Sequence, residues 1–198
     1  LYSGRLRYVG RKIETLLGKF EAIKGAAFND KVRSFLAKIP IMRVWEHDVT
    51  IKSGGYFAAD KDYGDIDVMA YDTSRDILYL IECKNTNPAK NIKEMKTEMD
   101  EYLGRGDNPE RDKKRALVLK HLRRHRWVTE HINEVAKHIG VAVTPRVKSM
   151  MLTATVIPTS YLKREKIPMS ILNYPELKIK GVNLLDSCKE PDLSVLDI

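Results

Sequence analysis

The sequence predicts an α/β fold, and three observations carry that prediction. Two apolar runs, Asp65-Ile66-Asp67-Val68-Met69-Ala70 and Ile77-Leu78-Tyr79-Leu80-Ile81-Glu82-Cys83-Lys84, flank Asp72-Thr73-Ser74-Arg75-Asp76, which has the composition of a hairpin connection. Stripes of apolar residues at helical spacing lie on both sides of this pair. The chain has 198 residues, enough to bury a sizeable core without dividing into two domains.

Each element can be justified in order. Ile13, Leu16, Leu17, Phe20 and Ile23 make a helical stripe over 12–23 that ends at Gly25. A second helix is expected over about 26–39 through Phe28, Val32, Phe35, Leu36 and Ile39, stopped by Pro40, which lacks a donor and restricts Ile39. Arg43 to Ile51 alternates as one strand, and Ser53-Gly54-Gly55 turns the chain. Tyr56, Phe57 and Tyr63 then approach the acidic run. Packing over the sheet edge is the favoured role for these rings, and stacking on an unpaired base the alternative. Gly64 serves either the turn or a close approach of backbone or phosphate.

After the strand ends at Asn85-Thr86-Asn87-Pro88, a helix over about 90–103 places Ile92, Met95, Met99 and Leu103 inward. Lys93, Glu94, Lys96, Glu98 and Asp100 fall outward, a solvated face being favoured over the alternative that Lys93 and Glu98 reach the acidic run. Gly104 to Pro109 is a break. From Glu110 to Ile139 one long helix or two follow, with Val118, Leu122, Val128, Ile132, Val135 and Ile139 apolar.

The chemistry lies in the hairpin. Side chains alternate along a strand, so Asp65 and Asp67 share one face, as do Glu82 and Lys84; pairing the strands brings all four together. Three carboxylates buried side by side cost too much unless a cation joins them.

An Asp opening an apolar strand, followed by Glu-X-Lys closing the next, resembles the motif of the PD-(D/E)XK nuclease superfamily, which includes restriction endonucleases and archaeal Holliday junction resolvases. Asp67 is the matching Asp because Val68-Met69-Ala70 follows it, and Glu82-Cys83-Lys84 is the second half. Ile66 stands where the family has Pro. Lys24 to Leu36 is similar to the family's first core helix, but Asn29 follows Phe28 where many members carry a metal-binding Glu. Either Asp30 or Glu21 substitutes, or the site works with fewer protein ligands and more water.

The resemblance implies a restriction endonuclease-like core, a central mixed β-sheet flanked by helices, with an additional basic helical segment. On this reading residues 1–198 form a single nuclease-like domain, standing alone or excised from a longer protein: a helical extension over 1–23, a core over 24–178 with a helical insertion at about 107–140, and a tail over 179–198. It also implies a Mg²⁺-dependent DNA endonuclease, Mn²⁺ substituting, in restriction, repair, recombination or defence. Asp67, Glu82 and Lys84 would be catalytic. Asp67, Glu82, the backbone carbonyl of Cys83 and, as an accessory, Asp65 would hold the metal, since Mg²⁺ favours oxygen ligands. The alternative is a nucleic-acid-binding or interaction domain of this fold with weak or partner-dependent activity.

Charge agrees with a polyanionic partner. Lys and Arg outnumber Asp and Glu by 35 to 27, a formal +8. Nine bases against three acids between Arg105 and Arg126 make a local +6. Lys113, Lys114, Arg115, Arg123, Arg124 and Arg126 are the expected phosphate contacts. DNA is the expected partner and RNA stays open, alongside a homodimer or other domains of a longer chain. His121, His125, His131 and His138 read as helix-surface or DNA-contacting residues, since the arginines around them disfavour a metal. Cys83 and Cys188 are the only cysteines, and Cys83 points away from Glu82 and Lys84 into a core. Few cysteines, no signal-peptide profile and no apolar run near the roughly 20 residues of a membrane span point to a cytoplasmic, nucleoid-associated protein with no membrane partner.

Overall fold

A computed structural model describes residues 11–106, 112, 115–162 and 165–197. The first helix, α1 (Arg11–Leu36), is continuous where two helices were expected. A glycine inside a helix costs only about 1 kcal/mol, and a Cβ at Gly25 would stand in open space, so the helix runs through a position that nothing packs against. Only the second half of α1 is packed: Phe28, Val32 and Leu36 are buried, whereas Ile13, Leu16, Leu17, Phe20 and Ile23 are 45–67% exposed.

The expected strand over 43–51 divides in two, β1 (Met42–Val44) and β2 (Val49–Ile51), which belong to different sheets. The acidic run divides as well. β3 (Gly64–Ile66) pairs antiparallel with β2, and β4 (Val68–Asp72) pairs with β1 and with β5 (Ile77–Lys84). Asp67 is therefore the residue at which the chain passes from the small sheet to the large one. The β4–β5 hairpin forms as expected, with Val68 opposite Ile81 and Asp72 opposite Ile77. Its turn is held by Asp72, whose Oδ1 accepts from Ser74 N at 2.9 Å and Ser74 Oγ at 2.7 Å and whose Oδ2 accepts from Arg75 Nε at 2.8 Å.

The helix α2 (Ile92–Leu103) follows, then α3 (Leu117–Glu130) and α4 (Ile132–Ile139), which part at His131. β6 (Arg146–Thr153), α5 (Thr159–Leu162), β7 (Ser170–Asn173), α6 (Tyr174–Lys180) and α7 (Val182–Asp186) complete the order, with a 3-10 turn at Ser194–Leu196. The large sheet runs β1-β4-β5-β6-β7. Its first two pairings are antiparallel and its last two parallel, so the fold is α/β with a mixed five-stranded sheet.

Period-two alternation in β5 divides the core between the two faces. Ile77, Tyr79, Ile81 and Cys83 pack with α1, α6 and α7, and Cys83 is a buried core residue as read from the sequence. Leu78 and Leu80 face the other way, toward Trp127 and Val128 of α3 and Val135 and Ile139 of α4. Each fully buried side chain of this size contributes roughly 1.5–3 kcal/mol. The alternation therefore sets which helix meets each β5 residue. Glu82 and Lys84 extend the Leu78, Leu80 row, and Glu82 meets Arg124 of α3.

Candidate functional site: an acidic pair beneath a basic helix

Continuing the β4–β5 register by one residue sets Asp67 beside Glu82. Asp67 Oδ2 accepts from the Cys83 backbone N at 2.7 Å, fixing its carboxylate on the edge of β5. From the opposite side Arg33 of α1 donates to the Asp67 carbonyl at 2.5 Å, and the same guanidinium pairs with Asp48 and, at 2.8 Å, with Asp30. Lys84 Nζ lies 2.8 Å from Glu82 Oε1. Asp67, Glu82 and Lys84 thus come together. Asp65 does not join them on one strand: it lies on β3 opposite Thr50, with an exposed side chain. The expectation that all four converge on one hairpin is corrected, because the strand ends between the two aspartates.

The second oxygen of Glu82 is taken by a residue outside the hairpin. Arg124 Nη1 of α3 is 2.5 Å from Glu82 Oε2, and both side chains are nearly buried. Arg124 also donates from Nε to the Tyr63 carbonyl at 3.1 Å. Gly64 adjoins this contact with φ +87°, and a Cβ there would meet Arg124 Nη2 at 3.1 Å. The close approach expected at Gly64 is made by an arginine.

One turn earlier on α3, His121 is fully buried. Its Nε2 donates to the Leu80 carbonyl at 3.1 Å, which leaves the Nδ1 lone pair 3.7 Å from Glu82 Oε2. Burial pushes the ring down to about 4, so it is neutral near pH 7. His125 is buried as well and meets Ser149 Oγ at 2.8 Å through Nδ1. His131 stacks on Trp127, and His138 packs edge-on against Tyr56 and Phe57. Surface or DNA-contacting roles expected of His121 and His125 are therefore corrected: the apolar stripe through Val118, Leu122 and Val128 draws both inward.

Charge in this site is uneven. Burial and the neighbouring Glu82 push Asp67 up to about 6, against the lowering effect of Lys84 and the Cys83 N–H. Burial works against the charge of Glu82, but Arg124 and Lys84 outweigh it and hold the carboxyl below the usual range. Lys84 is held above its ordinary value by Glu82 and Asp67 and stays protonated. Glu82 is thus compensated and Asp67 is not.

A hard divalent ion suits these donors in kind, since Asp67, Glu82 and the Cys83 carbonyl are all oxygen ligands. Among the described residues no group of three or more His, Cys, Asp and Glu side chains could hold a metal ion. The carbonyl and water would have to complete a shell, and a cation binding at Glu82 Oε2 would have to displace Arg124. Of the upstream candidates for a further ligand, Asp30 is committed to Arg33, whereas Glu21 lines a cavity of about 440 Å³ just beyond Lys84 with Asn85, Thr86, Glu98 and Tyr102. Asn29 is buried in the position read from the sequence. Glu98, expected on the solvated face of α2, is buried and accepts from Thr159 N at 3.0 Å and Thr159 Oγ1 at 2.6 Å. The first turn of α5 draws it inward; Ile92, expected inward, is 85% exposed.

The expected phosphate contacts separate. Lys113 and Lys114 lie outside the described residues, and Arg115 is exposed. Arg126 pairs with Asp197 at 2.8 Å and donates to the Leu193 carbonyl, and Arg124 belongs to Glu82. Arg124 is not free on a basic face, a correction that follows from the inward turn of α3, whereas Arg126 stays at the surface and is engaged by Asp197. Arg123 is half-buried with no hydrogen-bond or ion-pair partner among the described residues.

Among the described residues no helix is long and apolar enough to cross a membrane. In comparison with known proteins, the model of a family described as anti-phage protein Upx-like matches residues 2–170. No curated protein and no solved structure matches the chain. With most of its length matched by that model, the chain belongs to the Upx-like family of anti-phage proteins.

Proposed function

We propose that this chain acts in anti-phage defence as a Mg²⁺-dependent DNA endonuclease with a restriction endonuclease-like core, Mn²⁺ substituting for Mg²⁺. The observation that carries the reading is the meeting of Asp67, Glu82 and Lys84 at one end of the β4–β5 hairpin, with Lys84 Nζ 2.8 Å from Glu82. The order of the elements, helix before the hairpin and two parallel strands after it, also supports it. When bound by Asp67, Glu82 and the Cys83 carbonyl, the ion supplies activation of water and neutralisation of phosphate charge.

The protein's own residues do the rest. Asp67 is aimed by the Cys83 N–H and by Arg33 on its carbonyl. Its incompletely compensated charge is where a cation gains most. Lys84, protonated and fixed by Glu82, offers positive charge to a phosphate in its transition state and does not act as a base. Arg124, released from Glu82, would offer a second positive charge from above.

Incubating the protein with plasmid, branched and single-stranded DNA in Mg²⁺, Mn²⁺ or EDTA tests this. Cutting with either metal, abolished by EDTA and lowered about 10²–10³-fold in Lys84→Ala, is expected. Binding with no cutting under any condition rejects the enzyme. It would favour the second reading, a nucleic-acid-binding or interaction domain of this fold whose activity is weak or needs a partner, for which the Arg124–Glu82 ion pair is the motivating observation.

A further inference from the structure

A cleft of about 250 Å³ lies between the loop leading into β3 and the outer face of α3, walled by Lys61, Tyr63, Arg123, Arg126, Trp127 and Glu130. It joins two kinds of group that nucleic-acid strands use, rings and unpaired cations. The Tyr63 ring is half-buried, 6.1 Å from the Trp127 ring, and Lys61 Nζ sits 5.0 Å above it. Trp127 is itself stacked on His131, which fixes that wall.

Arg123 carries the charge argument. Arg126 is satisfied by Asp197, but Arg123 has no such partner among the described residues. Burial first, and the adjacent Arg124 second, push its pKa down, and an anion on the guanidinium would offset both. The cleft is also close to the acidic pair. Tyr63 offers its side chain to the cleft and its carbonyl to Arg124, which bonds Glu82.

We propose that this cleft binds one unpaired nucleotide, its base against Tyr63 and its phosphate on Arg123 and Lys61, so that the protein favours DNA with a single-stranded segment beside the acidic pair. A base inside a duplex has both faces covered by its neighbours and offers none to Tyr63. The proposal rests on the reading that the partner is nucleic acid, but not on cleavage.

The test is fluorescence anisotropy of the full chain in EDTA, with labelled oligothymidine, alone or annealed to oligoadenine. Tighter binding of the single strand is expected. Tyr63→Leu should weaken it about tenfold while leaving duplex affinity within about twofold, Tyr63→Phe should retain it, and Arg123→Gln, at a half-buried surface position, should reproduce the loss. Equal losses on both DNAs, or none, overturn the proposal. Thymidine monophosphate is the second arm. If it displaces the strand at comparable concentration, the cleft serves free nucleotides and selection of a strand is refuted. Cleft-dependent binding without cutting under Mg²⁺ would refute only the nuclease reading; cutting with unchanged single-strand affinity would refute only this one.

Discussion

Arg124 of α3 holds Glu82 of β5 through a contact of 2.5 Å, a nearly buried ion pair joining the basic helix to the acidic hairpin. Removing Arg124 would leave Glu82 with Lys84 as its remaining cation, a loss toward the low end of the about 3–5 kcal/mol that an uncompensated buried charge costs. Arg124→Met should lose stability of that order in EDTA and regain part of it when Mg²⁺ or Mn²⁺ is added, with a smaller gain in wild type. Urea unfolding with and without metal measures both. A loss unaffected by metal would show that no ion takes the place of the guanidinium.

Asp67 gives a pH dependence of definite sign. It titrates at about 6 in the fold against 3.8 for the ordinary group. The folded state therefore binds this proton more tightly. Its contribution to stability is complete below about pH 3.8 and is lost as pH rises through 6. Asp67→Asn, whose amide oxygen can still accept from Cys83 N, should be more stable than wild type at pH 8 by on the order of 1–3 kcal/mol, the difference vanishing near pH 4. Denaturation in EDTA across that range checks it; a variant less stable at pH 8 contradicts the assigned repulsion.

His121 and His125 act in the opposite direction. Both titrate at about 4 in the fold against 6.5 ordinarily, because burial disfavours the charged ring. Their contribution is present above pH 6.5 and is lost as pH falls through 4. Two such rings oppose a single Asp67 in this window, so the melting temperature of wild type should fall between pH 6.5 and 4. His125→Gln, which preserves a polar partner for Ser149, should flatten that fall. Parallel melting curves for wild type and variant would overturn the assignment.

Much of this was legible from residue order. The β4–β5 hairpin was visible because five continuous apolar residues, Ile77 to Ile81, follow a turn of polar residues, and Cys83 could be assigned to the core by alternation alone. The break between Asp65 and Asp67 was not. A strand that changes sheets keeps its period of two, and only pairing partners distant in sequence reveal the crossing. The small strand β2, hidden within the alternation of Arg43 to Ile51, was lost for the same reason.

Arg124 was missed as a partner of the site because composition treats all arginines in a basic run alike. A signal did exist. Val118, His121, Leu122, His125 and Val128 recur at helical spacing, and Arg124 borders that buried row while Arg123 lies outside it. Arg33 and Asp48 carried no comparable signal, since their meeting at Asp67 depends on how α1 crosses the sheet.

The uneven packing of α1 bears on how the molecule opens. Beyond Gly25 the helix is anchored through Phe28, Val32 and Leu36, and its amide protons should exchange with solvent only when the core opens. Before it, with the apolar stripe outside the core, the amides are protected by little more than the helix's own hydrogen bonds, and a helical segment this short is marginal on its own. By its hydrogen bonding α1 is one helix; by exchange it should behave as two, parting near Gly25.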